Sequence, residues 1–193
     1  MNATLADRYE RMCRGDADVV DHLPTFVQTV RELNATKIIE LGVRAGVSTI
    51  AWLYALDGTG HLWSVDGALP CAHHNGEQLL DDEMFGLDYW TFVQGWDDDP
   101  AVLTALPDQV DIVFIDTNHT YDLTTAELTE YLPRVRSGGR ILLHDTALES
   151  TANATTPQPP YPVRTAIADF CAEHGLVWSS VDYCNGLGVI QVP

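Results

Sequence analysis

Lys37-Ile38-Ile39-Glu40-Leu41-Gly42-Val43-Arg44-Ala45-Gly46-Val47-Ser48-Thr49-Ile50 is the stretch whose reading decides the fold. An apolar run ends in an acid, passes through a loop pinned by two glycines, and restarts at Ser48 with helical spacing to Leu56. Strand, tight turn and helix in that order bring backbone N–H groups and a helix N-terminus against a ligand. Gly42 is expected to supply a positive-φ position. Gly46 is expected to let the chain approach a bound group with no Cβ in the way, and Ser48 to cap the helix. Alone, the stretch is equally an ordinary strand-to-helix turn of a parallel sheet. Asp66, at the tip of the next expected strand, favours a binding site.

The same alternation runs outward to both ends. Residues 1–36 carry apolar positions at helical spacing (Leu5, Tyr9, Met12, then Val19 to Leu33), with Pro24 in a first turn and Asp18 or Asp21 as the expected cap. They read as an N-terminal helical cover, open to packing on the sheet, lidding a site or forming a homodimer contact. Residues 37–193 read as the main domain. His61–Asp66, Tyr89–Gln94, Asp111–Ile115 and Arg140–Leu143 are further strands, and Thr120–Arg136, closed by Ser137-Gly138-Gly139, is a long helix. Residues 67–88 suggest a short helix among loops, and 147–161 a polar loop. After a helix over Val163–Glu173, two strands flank Asn185-Gly186, a strong hairpin signal. A hairpin reverses the last strand. The expected fold is therefore α/β, a Rossmann-like doubly wound seven-stranded sheet, mostly parallel with one antiparallel strand from the C-terminal hairpin.

Composition narrows the partners. The 193 residues suit one domain that buries roughly 70% of its unfolded-chain surface. With a net charge of −18, one lysine and nine arginines, the chain lacks the basic stripe that nucleic acid requires. No apolar run reaches the ~20 residues of a membrane span, and Met1–Arg14 has no signal-peptide core, so a cytoplasmic protein is expected. The four cysteines are far apart and read as reduced thiols. Cys71-Ala72-His73-His74 matches no standard zinc spacing.

Ligands of open α/β sheets bind beyond the carboxyl ends of the strands. Here those ends read Glu40, Asp66, Trp96-Asp97, Asp116 and His144-Asp145. One acid at a strand tip is commonly a loop cap. Five, on strands whose tips converge, call for a polar ligand.

Taken in order, Ile39-Glu40-x-Gly42-x3-Gly46-x-Ser48, Ser64-Val65-Asp66, Val113-Phe114-Ile115-Asp116-x2-His119-x-Tyr121 and Gly138-Gly139-x4-His144-Asp145 resemble the class I S-adenosylmethionine-dependent methyltransferases. Within that class they are most similar to the small O-methyltransferases of macrolide sugars and related natural products. The resemblance covers about residues 37–145 and does not reach 1–36, 67–88 or 147–161. It implies methyl transfer to a hydroxyl of a small-molecule acceptor.

It also implies roles. Glu40 would face the cationic amino group and sulfonium. Gly42, Arg44, Gly46 and Ser48 would line the cofactor, and Asp66 would accept from both ribose hydroxyls. Trp96 and Asp97 would meet adenine, one packing and the other accepting from its amine. Asp116 would contribute to both the cofactor and the catalytic sets. His119 would be the general base, since an imidazole titrates near neutrality; the plain alternative is a histidine capping the helix from Thr120. Asp116, His144 and Asp145 would hold a divalent cation, magnesium or manganese. His144 stands where the family often has an acid, and imidazole favours a softer ion such as manganese or zinc. Without a metal, Asp116 and Asp145 would accept from substrate hydroxyls. Tyr161 is a further residue expected at the cleft.

Three other readings remain beside this one. An NAD-type oxidoreductase would use a similar sheet, but only Gly42 and Gly46 stand in the loop and the G-x-G-x-x-G spacing is absent. A non-catalytic relative would keep the cofactor pocket without turnover, and relatives that use a metal cleft for hydroxylation share the fold.

Overall fold

The computed structural model describes residues 3–148 and 161–193. Most of the 147–161 loop expected from the sequence lies outside these residues. Seven strands form one sheet: β1 (Lys37–Leu41), β2 (His61–Asp66), β3 (Trp90–Gln94), β4 (Val110–Ile115), β5 (Val135–His144), β6 (Val177–Val181) and β7 (Leu187–Gln191). Their order is β3-β2-β1-β4-β5-β7-β6, and β7 runs antiparallel to both of its neighbours. This is the mostly parallel sheet with one reversed strand that the sequence predicts. Strand order changes direction between β1 and β4, whose residues Ile38–Leu41 and Ile112–Ile115 pair in register. That switch is where an open sheet leaves a crevice.

Helices cover both faces. α1 (Ala3–Met12), α2 (Leu23–Leu33) and α3 (Val47–Leu56) lie on one side. α5 (Pro100–Ala105), α6 (Tyr121–Tyr131) and α7 (Val163–His174) lie on the other, and α4 (Asp82–Phe85) is a single turn. The side chains of β1 and β4 alternate between the two cores. Ile38, Ile112 and Phe114 face the first core, while Ile39, Leu41, Val113 and Ile115 face the second. Phe26, Trp52 and Phe114 form a fully buried aromatic cluster, with ring centroids 4.4 and 4.9 Å from Phe26. Truncating such a ring to alanine costs about 3–5 kcal/mol. α1 and α2 thus pack into the same core as the sheet. No described helix is long and apolar enough to cross a membrane.

The structure departs from the sequence reading at several points. α6 ends at Tyr131, and a short 3-10 turn over Leu132–Arg134 leads directly into a ten-residue β5. Arg136, expected at the helix end, is a strand residue, since Pro133 stops the helix before it, and it pairs there with buried Asp111. Its Nε donates to Asp111 Oδ1 at 2.5 Å, while the Thr36 and Lys37 N–H groups donate to Oδ2 at 2.7 and 2.9 Å. Gly138 and Gly139 do not close a helix; Gly138 donates its N–H to the Val192 carbonyl and Gly139 accepts from the Val192 N–H. The sequence suggests hairpin strands over Val177–Tyr183 and Leu187–Val192, but β6 stops at Val181; beyond it Arg164 pairs with Asp182 and the Asn185 carbonyl accepts from the Ala147 N–H. Neither Asp18 nor Asp21 caps a helix: the turn at Val20–His22 and α2 both lack a side-chain cap.

Candidate active site

Of the two glycines of the opening stretch, Gly42 supplies the positive-φ position expected of it, and Gly46 does different work. Gly42 has φ +87°, and a Cβ there would collide with the Asp116 carbonyl, so the glycine lets the loop after β1 cross the loop after β4. Gly46 has φ +88° and is itself the helix N-cap; a Cβ there would strike the Leu80 side chain. Gly46 therefore seats a residue of the 67–88 segment.

Glu40 also differs from expectation. It is fully buried, and both carboxylate oxygens are taken by hydroxyls. Ser48 donates to Oε1 at 2.6 Å, and Thr49 and Ser64 donate to Oε2 at 2.8 and 2.7 Å. Trp90 Nε1 donates in turn to Ser64 Oγ at 3.0 Å. Burial pushes the carboxyl up to about 7 against the pull of those three hydroxyls. Glu40 pins the first turn of α3 to β1 and β2 and lines neither cavity described below. Ser48, spent on Glu40, makes no cap.

Asp66 lies where the sequence places it, at the β2 tip. Its Oδ2 accepts from the Val43 and Arg44 N–H groups at 2.9 and 3.0 Å, and its Oδ1 from Ala68 N–H at 2.9 Å. A carboxylate accepts about four hydrogen bonds, so capacity remains. Asp66 borders a cavity of about 260 Å³ with Gly42, Gly67, Trp96, Asp97, Asp116 and Thr117 around it. Trp96 is 70% exposed and lies against Gly67, forming one wall.

A second cavity of about 510 Å³ opens on the far side of Asp116, between Asp16–Val19, the Val43–Ser48 loop and Cys71–His74. Arg44 and Ser48 border it. The segment that includes Cys71–His74 is tied to α1 and the turn after it: Arg8 donates to the Leu79 carbonyl at 2.7 Å and to Asp81 at 2.6 Å, Arg11 pairs with Glu77 at 3.0 Å, and Asp16, past the helix, pairs with His74 at 2.9 Å. A larger hollow of about 590 Å³ between Leu69 and Phe85 touches none of the strand-tip acids.

At the β4 and β5 tips four side chains converge. His119 Nε2 is 2.5 Å from Asp145 Oδ2 and 3.9 Å from Asp116 Oδ1, and His144 Nδ1 is 3.5 Å from Asp116 and 3.3 Å from Asp145. His144 Nε2 lies 3.1 Å from the carbonyls of both Asp18 and Cys184, so this nitrogen carries the hydrogen and Nδ1 faces the acids. Burial alone would lower both imidazoles, but the two carboxylates outweigh it, raising His119 to about 9 and His144 to about 11. Asp116 and Asp145 are correspondingly held below the usual carboxylate range, against burial. Asp145 holds φ +62°, a strained setting for a non-glycine residue. Tyr161 packs edge-on to His119, centroids 5.1 Å apart. Thr120 Oγ accepts from Leu123 N–H and caps α6, so His119 is free of that duty.

Asp116, His144 and Asp145 each offer a ligand atom, all within 4.8 Å of one another. His144 meets a further requirement of a ligating imidazole, since its other nitrogen is fixed by backbone carbonyls.

The sequence reading missed Glu127. It is buried on α6, accepts from Thr117 Oγ1, and lies beside Asp97. Its signal was an acid within the stripe Thr124, Glu127, Leu128, Tyr131, all buried at helical spacing.

A doubly wound sheet reversed at its last strand, with acids meeting at the switch point, defines an α/β enzyme of the Rossmann-like class. A family model described as a methyltransferase domain matches residues 39–146, more than half of the chain, and the chain belongs to that family. The sequence matches no curated protein. Solved structures of the same fold include the O-methyltransferase from Bacillus cereus in complex with SAH, at 17% identity over 100% of this chain and 92% of that one, TM-score 0.72. The O-methyltransferase TomG from Streptomyces achromogenes, involved in tomaymycin synthesis and solved with SAM, shares 17% identity over 100% and 90%, TM-score 0.68. The SAH-bound Podospora anserina methyltransferase PaMTH1 shares 17% over 100% and 89%, TM-score 0.68.

Proposed function

We propose that this methyltransferase moves the methyl group of S-adenosylmethionine onto a hydroxyl of a small molecule of the sugar or natural-product kind. One observation carries this reading: two cavities meet at Asp116, one bounded by Asp66 and Trp96, the other by Asp18 and His74. A donor with its adenosyl half in the first would set its sulfonium beside Asp116, whose Oδ1 lies 3.9 Å from His119 Nε2. The solved relatives with SAM or SAH bound, one of them tied to natural-product synthesis, support the same donor and acceptor class.

Methyl transfer from a sulfonium is an in-line displacement, so the protein supplies position and, for an alcohol, removes a proton. Asp66, with remaining acceptor capacity, takes the ribose hydroxyls. Acids around Asp116 favour the positive sulfonium. His119 takes the acceptor's proton once its own has left, and Asp145 orients the ring and stabilises the cation that results. Asp116, His144 and Asp145 would hold a divalent cation; when bound, it would gather the acceptor's oxygens and lower the pKa of the one that attacks. Residues 1–36 act as cover for this site, since Asp16–Val19 form one wall of the second cavity.

Calorimetric titration is the test. S-Adenosylmethionine is expected to bind in the micromolar range and Asp66→Ala to weaken it at least ~10-fold, the loss of charge-assisted hydrogen bonds. A folded wild-type protein that binds a nicotinamide dinucleotide and not S-adenosylmethionine would overturn the reading. His119→Ala is expected to keep cofactor affinity and lose ~10²–10⁴-fold in turnover on any hydroxyl acceptor the wild type methylates. Turnover at the wild-type rate would remove His119 from the chemistry.

A further inference from the structure

Glu127 has no part in the chemistry above, yet its setting has a consequence for the cofactor. The residue is 3% exposed, and its Oε1 accepts from Thr117 Oγ1. Its Oε2 is buried without a hydrogen-bond partner among the described residues, and so is Asp97 Oδ2. These two carboxyl groups lie within hydrogen-bonding reach of each other. Two facing carboxylate oxygens repel unless one proton lies between them. Glu127, the more deeply buried of the two, carries it: burial first and Asp97 second push its carboxyl up to about 9. The Asp97 backbone is held separately, its carbonyl accepting from Tyr131 OH at 2.7 Å.

Asp97 and Thr117 both border the cavity assigned to the adenosyl group, on the loops after β3 and β4. Glu127 touches both loops from behind. We propose that Glu127 is a positioning residue that grips Asp97 Oδ2 through a shared proton, leaving the other oxygen of that carboxylate to accept from the 6-amino group of a purine. The inference rests on reading that cavity as the adenosyl site. It assigns a selectivity: the remaining Asp97 oxygen is placed to accept, and a 6-oxo purine would set an oxygen, with no hydrogen to donate, where the amino group stands.

The test titrates S-adenosylhomocysteine and S-inosylhomocysteine into the wild type, Glu127→Gln and Glu127→Leu. The wild type is expected to favour the adenosyl compound at least ~10-fold, a mismatched polar contact being strongly discriminating. Glu127→Gln, whose amide can still donate to Asp97 and accept from Thr117, is expected to keep that ratio. Glu127→Leu is expected to lose ~10-fold in adenosyl affinity, with the ratio falling toward one. A wild type that binds neither compound overturns the adenosyl reading and this inference with it. A wild type that binds, beside a Glu127→Leu protein with unchanged affinity and ratio, overturns this inference alone. Should Glu127→Leu not fold, the infrared difference between the wild type and Glu127→Gln at pH 7 decides. The C=O stretch of a protonated carboxyl group must be present in the wild type and absent from the variant; its absence from both overturns the proposal.

Discussion

Glu40 shows how a residue can stand in the right place for one task and perform another. Its position at the end of β1 invites a ligand, yet three hydroxyls saturate it and no solvent reaches it. Removing it leaves those hydroxyls without their acceptor and opens a cavity beneath α3. Glu40→Ala is therefore expected to lower unfolding free energy by about 2–4 kcal/mol in urea denaturation while leaving S-adenosylmethionine affinity largely unchanged. A variant of wild-type stability that no longer binds the cofactor would return Glu40 to the site. The strand-tip acids were legible because strand ends follow from apolar runs, but what each acid faces does not follow from its type. For Glu40 the answer lay in the alternation of β1: Glu40 shares a face with Ile38, toward the core that holds α3. For Gly46 no local signal exists, since its neighbour Leu80 is 34 positions away in the chain (80 − 46).

Among the elements, α6 carries the clearest electrostatic signature. Its Glu127 has a higher affinity for a proton in the folded state than its ordinary value of 4.5, because burial and Asp97 disfavour the ionised form. The sign follows from proton linkage. Well below 4.5 both folded and unfolded chains hold the proton, and the stabilising contribution is complete. Between about 5 and 9 the unfolded chain has released it while the folded chain retains it, so rising pH favours unfolding. The groups facing Glu127 are Asp97, Thr117 and, at longer range, Asp116, and Tyr131 adjoins Asp97. Urea denaturation at pH 5, 7 and 9 is expected to show Glu127→Gln gaining on the wild type as pH rises. A difference that is flat, or that shrinks, contradicts the protonated state. The end of this helix had a local signal, Pro133 two residues past Tyr131, which cannot donate to a continuing helix. The start of β5 had none, since Arg136 takes its partner in Asp111, 25 residues away.

At the scale of the molecule, 28 acids against 10 lysines and arginines leave a net charge of −18. Like charges at that density oppose the compact state, and salt screens them: the Debye length falls from ~30 Å at 0.01 M to ~8 Å at 0.15 M. The melting temperature is expected to rise by several degrees between those ionic strengths. A fall on adding salt would show that specific ion pairs such as Arg8–Asp81 and Arg136–Asp111 outweigh the general repulsion. The sheet, its order and its reversed strand were legible because periodicity and the Asn-Gly hairpin are local signals. The second cavity was not, because it forms only where the N-terminal segment and residues 71–74 come together.

The seat of Leu80 on Gly46 has a consequence for how such an enzyme can diversify. With that one side chain docked against the loop after β1, and Arg8 holding the Leu79 carbonyl and the Asp81 carboxylate on either side of it, the wall side chains of Cys71, Ala72 and His73, which precede these anchors, can vary without disturbing them. New acceptors can then be accommodated by rewriting a few wall residues, while the apparatus that holds the methyl donor stays as it is.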